Sequence, residues 1–234
     1  MTNTNLPWRY SHLKYRIGYR KWEAIKHFKD QYIKQQLLDA FGSGKKVLFI
    51  HIPKTAGVSL IKTYDDSFAE ARHSPALLYK LLLGRQYSQF LTFSIVRNPW
   101  AKVFSAYNFL LRGGLSGTDP EMGCILQTEC PSFELFIKEW LPKNGVCCYM
   151  HFVPQHEFVC GWGEDVIVDN IIKLEQLNND WPGIANKLCL PPRNIPRENA
   201  SSQNDFRKYY DNESIDIVNK LYEKDINLFK YDFE

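Results

Sequence analysis

No stretch of this sequence approaches the roughly 20 consecutive apolar residues that a membrane-spanning helix needs, so no transmembrane segment is expected. The opening residues, Met1 to Trp8, are polar and lack the apolar core of a signal peptide, which points to a cytoplasmic protein. There is little excess charge of either sign: Lys and Arg total 29 against 26 Asp and Glu, for a net charge of +3. That balance permits an anionic ligand but is far from the basic excess of a nucleic-acid binder, and no nucleic acid is expected as partner. None of the six cysteines (Cys124, Cys130, Cys147, Cys148, Cys160, Cys189) forms a C-x-x-C pair. Zinc sites show tighter paired spacing. The cluster Cys147, Cys148, His151, His156 and Cys160 therefore reads better as buried polar and thiol groups than as a metal site, and no metal is expected. Reduced, mostly buried thiols fit the same compartment. No internal repeat is visible.

What is present is ordinary globular material: 234 residues, 44% hydrophobic and 24% charged. That is enough for one domain with a sizeable core, or one domain with an added arm. Residues 9–34 carry eight Lys/Arg against two acids, interleaved with aromatics. From Trp22 the apolar residues Ile25, Phe28, Tyr32 and Ile33 recur at helical spacing. This predicts an amphipathic helix with a solvated basic face, or a contact surface for an anionic acceptor or membrane headgroups. Gly42-Ser-Gly44 breaks the chain before Val47–Ile50, a short run that predicts a buried strand. A helical pattern follows through Leu60, Ile61, Tyr64 and Phe68. Ser74-Pro75 predicts a helix start with Ser as cap, and Gly84 its end. Phe90–Val96 predicts a second strand, with Asn98 and Pro99 opening the next helix. Strand–loop–helix twice over indicates an α/β fold with a parallel β-sheet flanked by helices. Residues 112–131 and 191–208 read as loops, Ser132–Trp140 as a capped helix, and 165–168 and 171–174 as strands. A final helix carries the stripe Ile215, Val218, Leu221, Tyr222, Ile226 and Phe229.

A strand that delivers a Gly-containing loop to a helix N-terminus aims several backbone N–H groups at one spot, where the helix dipole adds positive potential. The segment His51-Ile-Pro-Lys-Thr-Ala-Gly-Val-Ser59 has that form. Lys54 supplies a charge, Gly57 allows close approach, and Thr55 and Ser59 offer hydroxyls. It is not a Walker A loop, which has the Lys after its glycines and a hydroxyl for Mg²⁺. Alone, the segment would read better as a solvated turn. A second segment adds weight. Arg97 stands at the C-terminal end of a buried strand, where open α/β sheets bind ligands. Ser105 lies about two helical turns further on and can face back toward the strand ends. An Arg fork with a hydroxyl suits a second phosphate, so the ligand would carry two separated phosphates.

These residues resemble a known family. His51 to Ser59 is similar to the 5′-phosphosulfate loop of carbohydrate sulfotransferases of the Golgi and bacterial type. Ser94-Ile-Val-Arg-Asn-Pro-Trp-Ala-Lys-Val-Phe-Ser-Ala-Tyr107 is similar to their 3′-phosphate motif. His151-Phe-Val-Pro-Gln155, the strand ending in Glu175 and the pattern from Tyr222 to Tyr231 extend the likeness over residues 45–234. The family has Gly-Gly where this chain has Ala56-Gly57, and often Arg where Lys102 stands; Ala tolerates fewer backbone angles than Gly.

The resemblance implies a P-loop-nucleotide-hydrolase-like sulfotransferase fold, with a basic helical arm over 1–44 and the sulfotransferase domain over 45–234. It implies transfer of a sulfuryl group from 3′-phosphoadenosine 5′-phosphosulfate (PAPS) to a hydroxyl acceptor, a glycan or glycolipid. Lys54, Thr55, Ala56, Gly57, Val58, Ser59, Arg97 and Ser105 would bind the nucleotide, with Ser201 and Arg207 from the late polar loop around Asn199 and Ser202. Lys54 would also stabilise the leaving oxygen. The general base would be His73, since the family places a His between the two motifs and a helix N-terminus keeps its ring neutral. Glu70 and His51 are its competitors, although His51 reads better as a strand-end residue that shapes the loop. Glu175 would be structural or orienting, and Gln155 and His151 would touch the acceptor or serve the fold. The Cys124–Cys130 loop would flank the acceptor groove. Other readings are a kinase-like nucleotide phosphotransferase, which lacks its Mg²⁺-holding hydroxyl here, and a non-catalytic nucleotide-binding module.

Overall fold

The computed structural model of the chain describes residues 18–64, 67–69, 72–115, 117–191, 193–195 and 205–233. In chain order the elements are helices α1 (Tyr19–His27) and α2 (Gln31–Gly42), strand β1 (Val47–Ile50), helices α3 (Gly57–Tyr64) and α4 (Ala76–Leu83), strand β2 (Leu91–Val96), and helices α5 (Pro99–Leu111) and α6 (Asp119–Glu129). A helical stretch follows through Phe133–Leu135, Phe136–Trp140 and Leu141–Asn144. The short helix α7 (His156–Val159), strand β3 (Asn170–Lys173) and helices α8 (Leu177–Lys187), α9 (Asn212–Leu221) and α10 (Glu223–Phe229) complete the order. The described residues form two compact units, one of 18–97 with 155–195, the other of 98–154 with 205–233. No helix among them is long and apolar enough to cross a membrane.

The first unit holds the sheet, three parallel strands in the order β1-β2-β3 with helices against it. The fold class is α/β. Strands buried on both faces read as continuous apolar runs, and all four residues of β1 are buried. β2 carries two buried hydroxyls, and each is bonded. Ser94 Oγ donates to the Ile50 carbonyl at 2.7 Å, and Thr92 Oγ1 donates to Asp169 Oδ2 at 2.8 Å. On one side the rings of Phe49 and Phe93 stack at 4.7 Å, and Trp181 of α8 meets Phe93 at 5.7 Å. Each such side chain contributes about 1.5–3 kcal/mol on burial. The Tyr64 hydroxyl gathers three partners: it accepts from Trp181 Nε1 and the Arg193 N–H, and donates to the Pro191 carbonyl.

The single amphipathic helix expected from Trp22 to Ile33 is two helices. Asp30 interrupts it by capping α2, its carboxylate accepting the Ile33 N–H at 3.0 Å. The basic face is also not wholly solvated. Arg20 of α1 is 3% exposed; its guanidinium meets Glu157 at 2.8 Å and donates to the carbonyls of Gly161 and Gly163. Burial works against the Glu157 charge, but bonds from His156 and Arg20 outweigh it and hold the carboxyl below its usual range. At α4 the cap residue is Pro75 itself, one place later than expected, with no side-chain cap from Ser74. Gly84 ends that helix as expected. The strand expected over 165–168 does not join the sheet. Gly161 and Asp165 close a tight turn, and the segment folds back on itself through an isolated antiparallel bridge between Cys160 and Val166.

The second unit is helical. Val103, Ala106, Tyr107 and Leu110 of α5 pack with Met122 and Leu126 of α6, with Phe136, Ile137 and Trp140, and with Val218 and Tyr222. The loop expected over 112–131 is mostly helix α6. Pro120 pre-organises its first turn, Asp119 and Glu121 suit the dipole there, and Met122 and Leu126 bury one turn apart. Ahead of it the chain turns through Gly114 at φ 66°, where a Cβ would lie 2.0 Å from that of Asp119. The final stripe is likewise divided, with Tyr222 standing between α9 and α10. Of the six free cysteines, Cys130, Cys148 and Cys160 are buried, while Cys124 and Cys189 are exposed. Burial raises the Cys130 thiol to about 12, which keeps it protonated and unreactive.

Candidate nucleotide site at the strand ends

β1 ends at Ile50, and after six intervening residues α3 begins at Gly57. The turn between them is tight enough to force two non-glycine residues into left-handed backbone, Lys54 at φ 70° and Ala56 at φ 63°. Such a conformation costs an L-residue about 1–2 kcal/mol. Thr55, between them, is fully buried and its hydroxyl donates to the Ile52 carbonyl at 2.9 Å. That hydroxyl proton therefore closes the loop. Ser59 is buried in the first turn of α3, whereas Val58 is exposed.

His51 shapes this loop from beneath. A Cβ on residue 57 would stand 2.1 Å from His51 Nε2, so only glycine fits there. The His51 ring also stacks on Phe49 at 5.1 Å and lies 4.0 Å from the ring of His73. His73 is half-buried, and its Nδ1 is 2.8 Å from the His51 carbonyl oxygen. A carbonyl only accepts, so Nδ1 donates, and in the neutral ring the basic lone pair is on Nε2.

At the end of β2, Arg97 is half-buried and its Nη1 donates to the Lys54 carbonyl at 3.2 Å. The two segments singled out in the sequence, 43 residues apart, thus meet through this bond. The Arg97 backbone is held in turn by Gln155, whose Oε1 accepts its N–H at 2.8 Å and whose Nε2 donates to its carbonyl at 2.7 Å. Asn98 caps α5, its side chain accepting the Ala101 N–H. Lysine and arginine charge, backbone strain and a glycine with no room for a side chain fit an anionic, phosphate-bearing ligand better than a plain surface turn.

The model of the sulfotransferase family matches residues 42–232. The chain belongs to the sulfotransferase family. An uncharacterized protein of Archaeoglobus fulgidus is 26% identical over 135 residues, which are 57% of this chain and 98% of that one. No solved structure matches the chain.

Two other expected site residues of this sulfotransferase belong to the helical unit. Ser105 is half-buried on α5, in the helical unit. Arg207 is exposed in the same unit, and its Nε donates to Asp205 Oδ1 at 2.7 Å. Glu70, Asn199, Ser201 and Ser202 fall outside the described residues. Glu175 is exposed in the turn after β3. His151 belongs to a buried cluster in the helical unit, where Asp119 Oδ1 meets its Nε2 at 3.0 Å and accepts the Tyr149 hydroxyl at 2.5 Å. Burial opposes the Asp119 charge, but bonds from His151, Tyr149 and the Leu115 N–H hold it well below the carboxylate range. Lys102 is fully buried and donates to the carbonyls of His151 and Val153 at 3.0 and 2.9 Å, which makes it a fold residue. Among the described residues no group of three or more His, Cys, Asp or Glu is arranged to hold a metal ion.

Sequence reasoning had His51 shaping the loop but missed the Gln155 clamp on Arg97. A glutamine 58 residues from its partner leaves no local signal.

Proposed function

We propose that this sulfotransferase moves a sulfuryl group from PAPS to a hydroxyl on a carbohydrate or glycoconjugate, with His73 as general base. The observation that carries the reading is the bond from the Arg97 guanidinium to the Lys54 carbonyl, which draws a 5′-phosphosulfate loop and a 3′-phosphate motif to the same strand ends. Lys54, Gly57, Ser59 and the backbone of Thr55, Ala56 and Val58 bind the 5′-phosphosulfate, and Arg97 takes the 3′-phosphate. Ser201 and Arg207 enter through the family resemblance alone; Ser105 enters also through its place about two helical turns past Arg97, and the arm over 1–44 ahead of a catalytic domain from 45 through its basic composition.

In the transfer, the acceptor oxygen attacks sulfur and a new O–S bond forms. The bond from sulfur to the bridging oxygen breaks, and its electron pair leaves on the 5′-phosphate. The acceptor proton passes to His73 Nε2, the lone pair that the Nδ1 bond to His51 leaves basic. Lys54 neutralises the charge that grows on the bridging oxygen, and its carbonyl bond to Arg97 fixes the loop that carries it. Like phosphoryl transfer, this chemistry depends mainly on positioning and charge stabilisation. The two cations cover the phosphate charge, so the reading invokes no metal.

The test compares 3′-phosphoadenosine 5′-phosphate with 5′-AMP in thermal unfolding. A ligand that binds the native state raises its stability, and the bisphosphate should raise the midpoint much more than 5′-AMP. Equal shifts would rule out a 3′-phosphate site. A second arm follows radiolabelled sulfate from PAPS onto a panel of glycans in the presence of a chelator.

A further inference from the structure

β2 outruns its neighbour at its functional end. Val96 pairs with Lys173, the last residue of β3, so Arg97 lies one residue past the ladder. Its backbone N–H and carbonyl are bonded nonetheless, both by the fully buried side-chain amide of Gln155. The orientation of that amide is forced, because a peptide N–H only donates and a peptide carbonyl only accepts. Gln155 therefore stands in for the residue of sheet that β2 lacks, at the residue whose guanidinium reaches the strained Lys54 turn.

We propose that Gln155 is a positioning residue for the donor site: its amide locks the Arg97 backbone so that the guanidinium meets the Lys54 loop and the nucleotide 3′-phosphate together. This rests on the PAPS reading. Both ends of the amide are engaged by Arg97, so its work is on the donor side and not on the acceptor. An apolar side chain here would leave two buried backbone groups unpaired. Glutamate is the informative replacement. Protonated, it offers one acceptor oxygen and one O–H donor and reproduces both bonds; ionised, it cannot donate and sets a charge against the Arg97 carbonyl.

The experiment titrates 3′-phosphoadenosine 5′-phosphate and 5′-AMP calorimetrically into wild type, Gln155→Ala and Gln155→Glu, at neutral and at acid pH. Gln155→Ala should lose about tenfold in bisphosphate affinity, the scale of one charge-assisted contact, with a clearly smaller loss for 5′-AMP, which feels only the loosened Lys54 loop. Gln155→Glu should match the alanine variant at neutral pH and recover toward wild type, measured at the same pH, in acid. An alanine variant that keeps the wild-type preference overturns the proposal. Equal loss for both nucleotides overturns it too, because that marks a residue serving the fold alone. Wild type with no preference for the bisphosphate defeats the PAPS reading itself, and the proposal with it, before any variant is considered. Should the alanine variant not fold, amide exchange in wild type decides: the Arg97 N–H should exchange as slowly as those inside β2, and exchange at loop rates overturns the proposal.

Discussion

The two units bury polar groups to different ends. In the helical unit, Asp119, Tyr149 and His151 bond one another, and Lys102 spends its charge on the carbonyls of His151 and Val153. Those groups close on themselves and hold helices and turns together. In the sheet unit, besides the buried Arg20–Glu157 pair, a group of buried and half-buried polar side chains lies at strand ends and acts on loop backbone. Gln155 holds Arg97, Arg97 holds the Lys54 carbonyl, Thr55 closes its own turn, and His51 bonds His73. Two of the four non-glycine residues with left-handed backbone among the described residues, Lys54 and Ala56, are there as well; the other two, Cys189 and Lys230, each follow a helix. Two strained residues in one turn, with backbone-directed side chains around them, mark those strand ends as the place to test for a ligand.

The sharpest way to break this contrast is to remove the candidate base. His73→Ala should cost about 10²–10⁴-fold in turnover, the usual weight of general base catalysis, while bisphosphate affinity persists. Near-normal turnover would take His73 out of the chemistry, and lost nucleotide affinity would make it part of the donor pocket. In the helical unit the effect should fall on stability. Phe136→Ala opens a cavity in a fully buried position and should cost about 3–5 kcal/mol in urea unfolding, leaving the preference for bisphosphate over 5′-AMP intact in the folded fraction.

Smaller is the effect of Asp119→Ala, which strips partners from Tyr149 and His151 and should cost about 1–3 kcal/mol. The sign of its pH dependence follows from the depressed carboxyl. The stabilisation is complete above the unfolded carboxylate range near about 4 and is lost as pH falls through the lower folded value. Wild type should therefore weaken in acid, and Asp119→Ala should flatten that limb of the stability profile. An unchanged limb would assign acid sensitivity elsewhere. The smallest change is a gain: Ala56→Gly releases left-handed strain at φ 63° and should stabilise by up to about 1 kcal/mol, since glycine offsets part of the relief with its own entropy.

Much of the sheet was legible in the sequence because its signals are local. Val47–Ile50 is a strand with the expected bounds, Phe90–Val96 differs by one residue, and Asn98 caps its helix through the expected side chain. The errors arose where composition competed with pattern. Gly, Ser, Thr and Pro between 112 and 131 suggested a loop, although Asp119-Pro120 followed by Met122 and Leu126 carries a helix signal. Val166 and its neighbours have strand composition, but the Gly161–Asp165 turn folds them back. For the candidate site, Lys54, Gly57 and Arg97 could be named from their places after two strands, and His73 from the family resemblance and the helix start that follows it. What links Arg97 to its support could not, because the Gln155 amide acts across 58 residues on a partner that no periodicity indicates.

His51 leaves a mark on how this protein can change over evolutionary time. Its ring occupies the space a side chain at 57 would need, and its carbonyl fixes the tautomer at 73. Positions 51, 57 and 73 therefore cannot drift independently. A lineage that enlarged residue 57 would have to shrink or turn residue 51 in the same period, and would carry the disturbance to the ring of His73, 4.0 Å away.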